Sequence, residues 1–91
     1  MRFNWDEQKA AANHSKHGIS FNEAATVLGD SLGWTYPDPD HSESEQRWIT
    51  IGHSDAGRII VVFHTGEGED ETRIISARRA TRKERKFYEE G

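Results

Sequence analysis

Arg47-Trp48-Ile49-Thr50-Ile51-Gly52 and Arg58-Ile59-Ile60-Val61-Val62-Phe63-His64-Thr65 are two runs rich in β-branched residues, joined through the turn residues Ser54-Asp55-Ala56-Gly57. Side chains of this shape favour strands, and so short a connection makes the two strands antiparallel neighbours. Working outward, a shorter strand is expected near Leu32–Tyr36, before the polar, turn-forming loop 37–46. On the other side the acidic loop 66–71 leads into a further β-branched stretch at Thr72–Arg78. Consecutive strands with short links form an antiparallel β-meander of three to four strands.

The flanks read as helices. Asp6 suits an N-cap, Trp5 before it can pack on Ala10 as a hydrophobic staple, and Ala10-Ala11-Ala12 propagates the helix until Gly18 ends it. Ser20-Phe21-Asn22-Glu23 has the spacing of a capping box for a second helix, with Phe21, Ala24, Ala25 and Leu28 on its apolar face and a stop near Gly29-Asp30. Thr81-Arg82-Lys83-Glu84 is another capping box, opening a final helix to about Glu90. The reading is one α+β domain over residues 1–91: two N-terminal helices, the meander and one C-terminal helix, with the helices on one face of the sheet.

Composition narrows the function. The chain has 91 residues, 33% hydrophobic and 31% charged, with no cysteine and therefore no disulfide, thiol nucleophile or thiolate metal site. The longest apolar run, Ile59 to Phe63, is far below the roughly 18 residues of a membrane span, and the N-terminus has no signal-peptide core, so a cytoplasmic protein is expected. The net charge of −4 argues against a protein that coats nucleic acid. That average conceals an asymmetry: residues 30–71 carry −8, whereas residues 72–91 carry +4.

The basic end contains the sharpest cluster, Thr72-Arg73-Ile74-Ile75-Ser76-Ala77-Arg78-Arg79-Ala80. Strict alternation puts Ile74, Ser76 and Arg78 on one face of this strand and Arg73, Ile75, Ala77 and Arg79 on the other. Guanidinium groups bind phosphate bidentately, and Arg78, Arg79 and Arg82 converge on a helix N-terminus, where an anion is welcome and cations alone are not. The competing reading is an arginine set neutralised by the protein's own acidic loops.

Two smaller constellations follow. In Asn13-His14-Ser15-Lys16-His17-Gly18, His17 has the titration range for general acid–base work, and equally suits a helix C-terminus that its charge would stabilise. His14 and His17 have no third ligand at fixed spacing, so no metal is expected. Glu45 and Arg47, two apart on entry to a strand, face one side and form a candidate site pair, or else an exposed salt bridge of small value. Tyr88 can bring a phenol near the basic patch, although packing suits it as well.

Trp5-Asp6-Glu7-Gln8-Lys9-Ala10, Asn13-His14-Ser15-Lys16-His17-Gly18-Ile19-Ser20-Phe21-Asn22-Glu23-Ala24 and Arg73-Ile74-Ile75-Ser76-Ala77-Arg78-Arg79-Ala80, followed by Glu84-Arg85 and Tyr88, resemble the BrnT toxins of bacterial type II toxin–antitoxin systems. Glu45-Gln46-Arg47 and Gly52 suit the same pattern. The resemblance covers nearly the whole chain. It implies a RelE-like ribonuclease fold, RNA cleavage that blocks translation, and neutralisation by a BrnA-type antitoxin. The ribbon-helix-helix part of that antitoxin binds operator DNA, so the toxin would corepress its operon as a toxin2–antitoxin2 complex.

The expected activity is a metal-independent endoribonuclease without cofactor, in which the RNA 2′-hydroxyl attacks the adjacent phosphorus. Arg73, Arg78 and Arg47 are the candidates for phosphate, and Glu45 and His17 for proton transfer. Arg79, Arg82, Lys16, Ser76 and Tyr88 are candidates for substrate binding. The alternative is a non-catalytic module that binds an antitoxin-like partner through its basic C-terminal patch. A domain that binds DNA by itself lacks a helix-turn-helix signature.

Overall fold

The computed structural model describes residues 2–40, 45–66 and 70–91. Residues 41–44 of the expected polar loop and 67–69 of the acidic loop lie outside the described residues. The element order is β1 (Arg2–Asn4), α1 (Glu7–His17), α2 (Phe21–Val27), β2 (Trp34–Pro37), β3 (Trp48–His53), β4 (Ile59–His64), β5 (Glu71–Arg79) and α3 (Arg82–Glu90).

The expected meander is present as β2–β3–β4–β5, all antiparallel, but the sheet has five strands in the order β1-β5-β4-β3-β2. The added strand, β1, runs parallel to β5, pairing Arg2–Asn4 with Glu71–Arg73, so the sheet is mixed. Beyond β1, the edge of β5 is met by a side chain. Asn13 of α1 donates to the Ala77 carbonyl (2.9 Å) and accepts from the Ala77 N–H (3.1 Å), while also donating to the Ile19 carbonyl (3.0 Å). Its amide thus copies a strand's donor and acceptor where no further strand is available.

Local signals act largely as expected. Asp6 accepts from the N–H groups of Gln8 and Lys9, and Gly18, at φ 72°, closes α1 in the left-handed conformation that glycine adopts without strain. Thr81 and Glu84 close a complete capping box. The box at Ser20 is only half made. Ser20 accepts from the Glu23 N–H, but the Glu23 carboxylate is drawn to Arg58 and Ser54 instead. A pair charged on both sides, with Arg58, outweighs a bond from the uncharged N-cap N–H to the same carboxylate.

The two sides of the sheet carry different helices. Ile60 and Val62 of β4 and Ile74 and Ala77 of β5 join Ile19, Phe21, Ala24 and Val27 in the main core under α1 and α2. Trp5 stands edge-on to Phe21 with ring centroids 6.0 Å apart, and Ala10 packs against the same core. On the opposite face Ile49, Ile51 and Val61 form a second core with Tyr36, Ile59, Phe63, Ala80 and Tyr88. The expectation of helices on one face is therefore corrected: α3 lies on the other side. Its Phe87 packs on Trp34 (5.6 Å) because the Ile51–Val61 surface would otherwise remain in water. Gly52 permits α2 to approach β3, since a Cβ there would sit 3.0 Å from Asp30 Oδ2 and 3.2 Å from Val27 Cγ1.

Candidate functional site

The face that α3 only partly covers is organised in rows across the sheet. Ile51, Val61 and Arg78 form one row, and Ile49, Phe63 and Ser76 the next. A register irregularity follows: His64 pairs with Ile74, so Ile75 is the extra residue of a bulge in β5. The bulge resets the alternation. Ile74 joins the main core with Ala77, not a face shared with Ser76 and Arg78 as strict alternation predicts. Arg73, one residue before Ile74, then falls on the same side as Ser76 and Arg78.

Beyond the regular strands the ladder continues. The Thr65 N–H donates to the Arg73 carbonyl (3.0 Å) and the Asp38 N–H to the Arg47 carbonyl (2.9 Å). The period of two from Ile49 puts Arg47 on the face of Phe63 and Arg78. Arg47, Arg73 and Arg78, chosen from sequence for phosphate, thus share one side of the sheet. Four residues of β4 separate the row of Thr65 from that of Val61, about 13 Å at roughly 3.3 Å per residue. Arg78 leans back over this interval, with its guanidinium carbon 5.7 Å from the Phe63 ring centroid.

Two of the arginines are held by carboxylates. Arg73 pairs with Glu45, bridging from β5 to the approach of β3, and both side chains remain nearly half exposed. Arg78 makes a fork to Glu84, donating to Oε1 at 2.7 Å and Oε2 at 3.0 Å. The Glu84 carboxyl also accepts the Thr81 N–H (2.8 Å), so a single carboxylate fixes both the arginine and the start of α3. Hydrogen bonding from Arg78, opposed by burial and reinforced by Thr81, pulls its pKa down from 4.5 to about 2. Glu84 is therefore ionised at neutral pH and has no proton to give. Beside this pair is a cavity of about 330 Å³ lined by Tyr36, Asp38, Asp40, Phe63, Arg78 and Glu84. Burial, then the Glu84 charge, raises the Tyr36 phenol above its ordinary value.

The other sequence candidates lie elsewhere. Lys16 and His17 end α1, in the layer across the sheet from Arg78. Arg79 pairs in register with Ile60, toward the α1–α2 side, and Arg82 is exposed at the first position of α3. Ser76 joins the edge device, its hydroxyl donating to Asn13 Oδ1 at 3.2 Å. Tyr88 donates to Asp30 Oδ2 at 2.6 Å and accepts from His53 Nδ1 at 3.0 Å, tying α3 to the ends of α2 and β3. Burial, then the hydrogen bond to Asp30, raises its phenol to about 12. Burial opposes ionisation of Asp30, but bonds from Tyr88 and the His53 and Leu32 N–H groups overcome it and hold the pKa low.

Sequence reasoning missed Phe63 and Glu84 as members of this face. The signal for Glu84 was present, because a capping-box glutamate six residues after Arg78 lies one short turn away. Among the described residues no three His, Asp or Glu side chains converge as metal ligands, and no helix is long and apolar enough to cross a membrane.

This fold, with its arginine-bearing sheet face, can be set beside proteins of known structure. The chain is similar to the Brucella abortus ribonuclease toxin BrnT, in its 1.1 Å crystal structure, with a TM-score of 0.68 and 27% identity. The match covers 90% of this chain and 99% of that one. No curated protein matches the chain significantly. The family model for the ribonuclease toxin BrnT of type II toxin–antitoxin systems matches residues 5–84, and the chain belongs to that family. Membership brings an RNA substrate and an antitoxin partner.

Proposed function

We propose that the face carrying Arg47, Arg73 and Arg78 binds and cleaves RNA without a metal ion. The observation that supports this most is the bulge at Ile75, which brings Arg73 to the side of Arg78 beside an exposed carboxylate, Glu45. Glu45 removes the proton from a ribose 2′-hydroxyl. The 2′-oxygen bonds to the adjacent phosphorus, the bond to the 5′-oxygen breaks, and that oxygen takes a proton from solvent. The products are a 2′,3′-cyclic phosphate and a 5′-hydroxyl. Arg73, displaced from Glu45 by the phosphate, and Arg47 neutralise the charge gathered on the non-bridging oxygens. Arg78 closes the other end over Phe63. His17 and Lys16, across the sheet, have no part in this scheme, and Tyr88 acts by holding α3.

The expected biology is that of the family: RNA cleavage halts translation in the cytoplasm, and a BrnA-type antitoxin neutralises the toxin. The toxin then joins the antitoxin's ribbon-helix-helix part on operator DNA as a toxin2–antitoxin2 complex. Incubation of purified protein with RNA in EDTA tests the chemistry. Cleavage to cyclic-phosphate ends, lost in Arg73→Ala, is expected. No cleavage at high protein concentration favours a non-catalytic module. Expression with and without the neighbouring reading frame tests the partner.

A further inference from the structure

The acidic character of the cavity beside Arg78 raises a question of where RNA is anchored. Asp38, Asp40 and Glu84 line it against a single arginine, and that arginine is already paired. A phosphate that meets Arg78 does so against these carboxylates, so further anchoring falls to other cations. Just past Arg78, where β5 ends, the balance reverses. A cavity of about 560 Å³ lies between the β3–β4 turn, the end of β5 and α3, and His53, Arg58, Arg79, Arg85 and Glu89 line it.

The three arginines are not equivalent. Arg58 is fixed: its Nε donates to Glu23 Oε2 at 2.9 Å, a second nitrogen meets Glu23 Oε1, and Ser54 donates to the same carboxylate at 2.7 Å. Glu23 is consequently committed, its pKa lowered chiefly by the Arg58 hydrogen bonds. Arg79 and Arg85 form no ion pair among the described residues, although the charge of Arg79 also helps to lower the Glu23 pKa. Glu89, four residues after Arg85, lies on the rim without bridging to it. His53 is oriented by Tyr88: because the phenol donates to Asp30, the ring must give its Nδ1–H to the phenol oxygen. In the neutral ring Nε2 then carries no hydrogen, so His53 lines the cavity without donating to a phosphate oxygen.

We infer that this cavity is a second phosphate-binding subsite, in which Arg79 and Arg85 hold a phosphate of the RNA away from the cleavage point. The inference rests on the RNA-binding reading above. Arg78 and Arg79, adjacent in sequence, then serve two stations of one substrate, since alternation sends them to opposite sides of β5. Guanidinium groups without a direct carboxylate partner in a concave site suit phosphate, and one such contact contributes to affinity without touching the reacting atoms.

Fluorescence anisotropy with a 2′-O-methyl RNA oligonucleotide, which cannot be cleaved by its own 2′-oxygen, tests this across a salt series. The double variant Arg79→Gln/Arg85→Gln is expected to bind about tenfold more weakly, with the slope of log K against log salt reduced by about 0.7 for one lost phosphate contact. Glu89→Gln, which removes the rim carboxylate, is expected to bind more tightly. Oligonucleotides with and without a 5′-phosphate separate a terminal from an internal phosphate. Unchanged affinity and slope in the double variant, while Arg73→Ala weakens binding, overturn the subsite and leave the cleavage face standing. Failure of the unmodified protein to bind overturns both. Loss of antitoxin affinity with RNA binding intact makes the cavity a protein interface and overturns the inference.

Discussion

Arg78 and Glu84 are joined by two hydrogen bonds, at 2.7 and 3.0 Å, and the same glutamate closes the capping box of α3. The arginine of the sheet face and the attachment of the last helix therefore share one carboxylate. Changing either residue disturbs both.

Glu84→Gln is expected to lower stability near neutral pH by about 2–3 kcal/mol, allowing for the pair's partial exposure. The sign follows from the depressed pKa of about 2 against the ordinary 4.5. The stabilisation is present above pH 4.5 and is lost as pH falls toward 2. Denaturation curves of the unmodified protein and the variant should converge over that interval, and a constant gap would refute the linkage.

Tyr88→Phe removes the hydroxyl between Asp30 and His53 and is expected to cost about 1–2 kcal/mol. The phenol's pKa is raised from 10 to about 12, so its neutral form stabilises the fold below pH 10 and that contribution disappears as pH rises toward 12. The variant should show a flatter alkaline limb in melting temperature. Retention of the full alkaline loss would assign it to other groups.

Asn13→Ala strips the partner from both backbone groups of Ala77 and from the Ile19 carbonyl, all at a buried position. A loss of about 2–4 kcal/mol is expected, read by urea denaturation. Asn13→Asp keeps the shape but cannot donate, and should be comparably harmful near neutral pH.

Arg47→Ala is expected to slow RNA cleavage by about 10²–10³-fold with little change in melting temperature. Single-turnover cleavage alongside thermal denaturation checks the separation. Equal loss of stability would make Arg47 a structural residue.

The order α–α–β-meander–α was legible because capping residues and β-branched runs act locally. β1 was not: Arg2-Phe3-Asn4 has one apolar residue and becomes a strand only because β5 offers an open edge beside it. The side taken by α3 was also hidden, since it depends on which sheet surface remains uncovered. For the site, residue type was readable but facing was not. Alternation across Arg73–Arg78 assumes an unbroken ladder, and the bulge at Ile75 depends on the pairing of β4 with β5. Glu23 shows the same limit, because a partner 35 residues away takes the side chain that its neighbours predict for a cap.

The parallel pairing of β1 with β5 joins Asn4 to Arg73 across most of the chain. Closing so long a loop is entropically unfavourable until the strands between are in place. In chain order Arg73 and Arg78 come after α1, α2 and three strands of the meander, and before α3. Arg73, paired with Asn4 on one side and bonded to Thr65 on the other, is thus held in place by contacts that reach across nearly the whole domain.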